Sequence, residues 1–150
     1  RQAVDLAGLS PTGPPTQVTI DEVDADSARG LLAREYATAW GLGVARAHLA
    51  PSRHEALDEL LDAHEDRLRT LREVLAPLGE VPVAEPGYEL EGLTEPTGAA
   101  GAEEFVARLE KDLIQSWLAA AVSGSGDAWR EFAVWGTAGA EAAAQAWSAG

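Results

Sequence analysis

From Leu57 to Leu78 leucine returns every three or four residues: Leu57, Leu60, Leu61, Leu68, Leu71, Leu75 and Leu78. That spacing lays the leucines along one side of an α-helix, in a stripe of the coiled-coil type, and a strand of period two cannot reproduce it. A helix of this kind is stable only when other helices cover its stripe, so the rest of the chain must supply partners of matching length. One position of the stripe is not apolar: it holds His64. Ser52-Arg53-His54-Glu55 has the form of a capping box, in which Ser52 and Glu55 satisfy each other's backbone amide, and the helix is expected to begin there. Pro77 and Gly79 end it.

Three further helical patterns follow from the same periodicity. Asp24, Asp26 and Ser27 offer N-cap side chains, after which Ala28, Leu31, Leu32, Glu35, Ala39 and Leu42 repeat at three and four. This first helix is expected to run to about Leu49 and to stop before Pro51, which disfavours helical geometry at Ala50. Gly41 and Gly43 within it suggest close packing against a neighbour. A third helix is expected from about Gly101 to Val122, with Glu103 and Glu104 in its first turn and Phe105, Val106, Leu109, Leu113, Ile114 and Trp117 facing inward. Ser123-Gly124-Ser125-Gly126 breaks it, and Asp127 is expected to cap a fourth helix to about Ser148. Trp129, Phe132, Gly136, Ala140, Ala143 and Trp147 lie along one face of that helix.

Between helices two and three, Glu80 to Ala100 is a long link with Pro82, Pro86 and Pro96. It is far longer than the usual helix-to-helix connection, and its Val81, Val83, Tyr88, Leu90 and Leu93 are expected to be pinned against the helices. The short, long, short loop pattern with no strand predicts an all-α, up-down four-helix bundle whose long link crosses between helices two and three. Residues 1–23, with Pro11, Pro14 and Pro15 and few apolar side chains, read as a flexible N-terminal arm, and residues 24–150 as the bundle.

Charge and composition narrow the function. The chain has 150 residues, with 25 Asp and Glu against 11 Lys and Arg and a net charge of −14, so no basic stripe exists for nucleic acid. Anionic membrane surfaces are disfavoured on the same ground, and no apolar run approaches the ~20 residues of a membrane span. The absence of cysteine removes thiolate metal sites, iron–sulfur clusters and cysteine nucleophiles. Residues 1–17 lack the apolar core of a signal peptide, so a cytoplasmic location is expected, with export after removal of a leader as the alternative.

Polar residues on otherwise apolar stripes are the candidates for chemistry. Glu35 lies mid-way along helix one and His64 mid-way along helix two, so a carboxylate and an imidazole enter the core at similar depth. In helix three Asp112 flanks Leu109 and Leu113, and Glu110 is close by but one position round. The simplest reading of Glu35 and His64 is a buried hydrogen-bonded pair, in which each favours the charged form of the other. The alternative is a metal site built from Glu35, His64 and either Glu110 or Asp112. His48 and His54 fall at helix ends and are expected at the surface. Arg67, Arg69 and Arg72 alternate with Glu65, Asp66 and Glu73 and are expected to form a solvated, ion-paired face. Trp40, Trp117, Trp129 and Trp147 fit inward faces. Trp135 falls off the main stripe of helix four and is the candidate contact residue. No Ser/His/Asp triad can be nominated, and Gly124 and Gly126 lack the lysine and strand of a phosphate-binding loop.

Several segments together resemble the actinobacterial ferritin-like domain family of unknown function. They are Glu35-Tyr36-Ala37-Thr38-Ala39-Trp40-Gly41-Leu42-Gly43, Ala63-His64-Glu65-Asp66-Arg67, Pro86-Gly87-Tyr88-Glu89-Leu90, and Arg108-Leu109-Glu110-Lys111-Asp112 followed by Trp117 and Trp147. The resemblance implies a ferritin-like bundle and often a dimer, and it brings no activity with it. A carboxylate-bridged di-iron site takes one Glu from each of two helices and Glu-x-x-His from each of the other two. Here Leu61 stands three before His64, and helix four contains no histidine, so that set is incomplete. The expected role is therefore non-catalytic: a homodimeric binding or scaffold domain with no cofactor. The alternatives are an iron- or manganese-binding protein or oxidoreductase, and a carrier of a small apolar ligand; a protein partner fits the first role.

Overall fold

The computed structural model describes residues 18–90 and 92–148. Over these residues the chain is all-helical, with four α-helices and no strand: α1 (Glu22–Arg46), α2 (His54–Leu75), α3 (Ala99–Ser123) and α4 (Asp127–Ser148). Single 3₁₀ turns, Pro51–Arg53 and Ala76–Leu78, bracket α2. α1 packs on both α2 and α3, and α3 packs on α4. The expected arm lies, over residues 1–17, outside the described residues; Val18 and Ile20 pack against the core.

The helix ends differ from the sequence expectation in physically instructive ways. Asp21, not Asp24, caps α1, its carboxylate accepting from the amide of Val23 at 3.2 Å. Asp24 is buried one turn further on and reaches α4 instead, accepting from the amides of Ser125 and Gly126 at 3.1 Å each. A carboxylate from α1 thus sits at the N-terminal end of α4, where unpaired amides and the helix dipole both favour it. Asp127 lies in the first turn of α4 and pairs with Arg130. The capping box at Ser52 and Glu55 is not formed: Pro51 starts a 3₁₀ turn that takes up Ser52, and the N-cap position falls to Arg53, which makes no capping bond. α1 ends at Arg46 rather than near Leu49, because His48 and Leu49 both bond back to the Ala45 carbonyl in a tightened turn. Ala50 is extended, as a residue before proline should be. α3 begins two residues earlier than expected, which carries Glu103 and Glu104 beyond its first turn.

The link from Gly79 to Gly98 is anchored by Leu90 and Leu93, which pack on the helices, and by buried Pro96. Val83 is 79% exposed and is not pinned. Gly79, at φ +112°, supplies the turn out of α2 that an L side chain would resist. At Gly41 a Cβ would lie 2.9 Å from side-chain carbons of both Leu109 and Leu90, so this glycine lets α3 and the link close onto α1. Gly43 has no such neighbour. Trp40 is 37% exposed and covers the link at Tyr88 instead of entering the core, because Thr38, Gly41 and Leu42 hold the inward positions of α1.

Two apolar clusters fill the interior. One gathers Ala28, Leu32, Leu68, Leu71, Leu75, Leu113, Trp117, Trp129 and Phe132. The other gathers Leu42, Ala45, Leu57, Leu60, Val106, Leu109 and Trp147. In chain order, Glu35, His64 and Glu110 fall between the members of the two clusters on α1, α2 and α3, and all three are fully buried.

Candidate functional site

The polar layer between the clusters is assembled by helical spacing. On α1, Glu35 follows Leu31 and Leu32 and precedes Thr38 and Leu42 on the same buried face. On α2, His64 and Arg67 are three apart and share the buried side with Leu60, Leu68 and Leu71. On α3, Glu110 continues the row of Val106, Leu113 and Trp117. Each of these helices is committed to its apolar stripe, so the polar side chains are carried inward with it.

His64 is held between two carboxylates. Its Nδ1 lies 2.5 Å from Glu35 Oε1 and its Nε2 lies 2.7 Å from Glu110 Oε2. A ring whose two nitrogens both face carboxylate oxygens carries a proton on each, so His64 is an imidazolium. The second oxygen of Glu35 accepts from Arg67 Nε at 3.0 Å and from the Trp117 indole at 2.8 Å. Arg67 Nη2 lies 3.1 Å and 3.4 Å from the two ring nitrogens of His64, a contact of two cations tolerated because the carboxylates flank both. Glu35 therefore has three donors. Glu110 has one, and its Oε1 is buried with no partner among the described residues.

Electrostatics follow from this geometry. Burial alone would raise the Glu35 pKa, but the charges of His64 and Arg67, with the bonds from His64 and Trp117, outweigh it and hold the carboxyl at about 2. Burial likewise opposes the charge on His64, yet Glu35 and Glu110 on either side push its pKa up to about 9. Taking an unpaired ion out of water costs several kcal/mol, so each of these charges depends on the others.

Of the residues singled out in the sequence, Glu35, His64 and Glu110 converge and Asp112 does not. Asp112 has a side chain 40% exposed and pairs with Arg108 at 3.4 Å on the outside of α3. Trp135 is half-buried and stacks on Phe132 with ring centroids 5.6 Å apart. His48 meets Glu95 at 3.3 Å, and His54 Nε2 sits 3.1 Å from the carbonyl of Arg46. Arg67 corrects the expectation of a wholly solvated arginine face: it is 3% exposed and belongs to the polar layer, while Arg69 stays outside with Asp66. The signal for Arg67 was its position three after His64 on the leucine stripe. The signal for Glu110 was its place four after Val106 and three before Leu113.

The residues do not fit iron or manganese. A ligating histidine needs a lone pair, and both His64 nitrogens are committed to carboxylates through their protons. Both Glu35 oxygens are taken, and the Arg67 guanidinium already neutralises the site. Among the described residues no three His, Asp or Glu side chains converge on one metal position. Of the carboxylate and imidazole atoms in this layer, Glu110 Oε1 alone has no partner among the described residues. No helix among the described residues is long and apolar enough to cross a membrane.

Over the described residues the chain is thus an all-helical bundle with a buried ion cluster. It belongs to the family described as Domain of unknown function (DUF4439), whose model matches residues 28–150. The fold is similar to the crystal structure of a conserved hypothetical protein, rv2844, from Mycobacterium tuberculosis, with a TM-score of 0.78 and 26% sequence identity. That match covers 85% of this chain and 89% of the mycobacterial one. No curated protein matches the chain.

Proposed function

We propose that the chain is a ferritin-like up-down bundle, its long link crossing between the two helical hairpins, in which an internal ion cluster stands where a di-iron site would be. Its role is that of a non-catalytic, homodimeric binding or scaffold domain. The observation that carries this reading is the closure of the cluster: Glu35 and His64 are fully buried and every one of their polar atoms is bonded within the protein. General acid–base or metal chemistry needs a group that can reach substrate or solvent, and these two reach neither. Binding then falls to the surface. Leu118 (44% exposed) and Val122 (79%) lie one turn apart on α3, and Val134 (58%) stands beside Trp135 on α4, the helix that α3 packs against. Exposed aliphatic residues on these two helices suit a protein–protein contact.

Sedimentation velocity tests it. The wild-type chain is expected to sediment at twice its monomer mass, and the double variant L118E/V134E to become monomeric with unchanged helical content. A wild-type monomer, or a dimer indifferent to both substitutions, would count against this surface. The unpartnered Glu110 Oε1 is the one observation favouring the metal-binding reading. Stoichiometric iron or manganese retained by wild-type protein and lost in H64A would replace our reading with that one.

A further inference from the structure

A second group of polar side chains gathers where α1, α3 and the link meet. A cavity of about 100 Å³ there is lined by Arg34 and Thr38 of α1, Leu109 and Asp112 of α3, and Glu89 and Leu90 of the link, none of them a member of the ion layer. Arg34 and Thr38 stand one turn apart on α1, so one strip of that helix carries both. Leu90 and Leu109 form the apolar side. A methyl carbon of each lies 2.9 Å from the place a Cβ of Gly41 would take, so this glycine lets the two leucines draw together against α1.

The polar groups around this cavity are short of partners. Thr38 is 6% exposed, yet its hydroxyl has no hydrogen-bond partner among the described residues. The other buried threonines, Thr70 and Thr137, each donate to the carbonyl four residues back. Arg34 is the one arginine among the described residues that makes neither a side-chain hydrogen bond nor an ion pair with them. Glu89 is likewise without a partner there, and Asp112 has only Arg108, at 3.4 Å.

We propose that this cavity binds a small zwitterion, an α-amino acid of the size of glycine or alanine. Charge decides the class. An anion alone would meet Arg34 but also Glu89 and Asp112, and a cation alone would meet the carboxylates but also Arg34. A ligand with both signs satisfies all of them, its carboxylate taking Arg34 and the Thr38 hydroxyl and its ammonium taking Glu89 and Asp112. Volume decides the size: a cavity of ~150 Å³ holds a benzene ring, so one of this volume takes roughly four to six non-hydrogen atoms, the range of glycine and alanine. Leu90 and Leu109 offer the methyl group of alanine an apolar wall. The inference does not depend on whether the chain dimerises.

The test is a titration of isotope-labelled wild-type protein with glycine, L-alanine, acetate, methylammonium and L-leucine, followed by amide chemical shifts. Glycine or L-alanine is expected to shift the amides of Arg34, Thr38 and Leu90 saturably, with a Kd of about 1 mM or tighter. Acetate and methylammonium, which each satisfy one sign, and L-leucine, which is too large, are expected to bind at least about tenfold more weakly. R34Q and E89Q should each weaken the amino acid at least about tenfold, and T38V at least about threefold. Arg34 and Glu89 are exposed, so R34Q and E89Q should keep the wild-type helical circular dichroism. R69Q removes an arginine outside the cavity and should leave binding unchanged. No saturable shift up to about 20 mM glycine or L-alanine would overturn the proposal and leave the cavity to water. Acetate or methylammonium binding as tightly as glycine would overturn it too, as would R34Q binding as wild type does.

Discussion

The polar layer and the apolar clusters on either side of it are equally buried and are held by different physics. In the clusters, Leu71 or Leu113 is stabilised by area removed from water, and neighbours can shift to accommodate a change. In the layer, Glu35, His64, Arg67 and Glu110 are each unfavourable alone and acceptable only together. An apolar cluster tolerates partial losses, whereas an ion cluster is a joint arrangement that fixes how α1, α2 and α3 meet. That contrast is consistent with a stretch of Leu-rich helix carrying one histidine, and with Gly136 and Gly139 of α4 standing against the Trp117 ring and the Arg67 guanidinium.

The largest expected effect comes from breaking the layer at one point. E35L should cost about 3–5 kcal/mol, because it strands His64 and Arg67 as buried cations without their shared carboxylate. L71A, in the neighbouring cluster, should cost about 2–5 kcal/mol by leaving a cavity. The two diverge on rescue: converting the rest of the layer as well, in E35L/H64L/R67M/E110L, should recover most or all of the E35L loss, since an apolar layer of similar volume has no charge to strand. Urea unfolding of the three variants measures this. A quadruple variant less stable than E35L would mean that the layer supplies more than mutual neutralisation.

Acidity separates the layers next. The folded-state pKa of His64 lies above its ordinary 6.5, so the stability it contributes is complete below about pH 6.5 and is lost as pH rises through about 9. Glu35 lies below its ordinary 4.5, so its contribution is complete above about pH 4.5 and is lost as pH falls through about 2. Stability should be flat between roughly pH 4.5 and 6.5 and decline by a few kcal/mol toward pH 10. The His64 part of the alkaline decline should be absent in the quadruple variant.

A smaller effect tests the packing on which the layer rests. Gly→Ala inside a helix ordinarily stabilises by about 1 kcal/mol. G136A should instead destabilise by about 1–3 kcal/mol, because the new Cβ overlaps the Trp117 ring that donates to Glu35. G43A, which meets nothing within 4 Å, should show the ordinary sign. Thermal unfolding of the pair decides it.

Much of the frame was legible because it is periodic. The leucine stripe of α2, the start of α4 at Asp127 and the long link between α2 and α3 follow from spacing and from proline and glycine placement. Glu35 beside His64 was legible for the same reason, as a polar interruption on each of two stripes. What escaped depends on where helices meet. Asp24 looked like a cap for its own helix and serves the far end of α4, which no local pattern reveals. Asp112 and Glu110 were ranked by nearness to leucines, and the rotation of α3 decided between them in favour of Glu110. Arg67 looked solvated because it sits among charged neighbours in sequence. Its burial is intelligible only once Glu35 and Gly139 are known to face it. The link's Val83 and the expected capping box at Ser52 failed for the complementary reason, a local pattern without a tertiary partner.

The central claim is that His64 is a doubly protonated ring clamped between Glu35 and Glu110. Long-range proton–nitrogen correlation spectra of the His64 ring, followed from pH 6 to 10, test it most directly. The account predicts two protonated ring nitrogens at pH 7.5 and a transition near 9. A neutral ring at pH 7.5, with one unprotonated nitrogen and a transition near the ordinary 6.5, would contradict it.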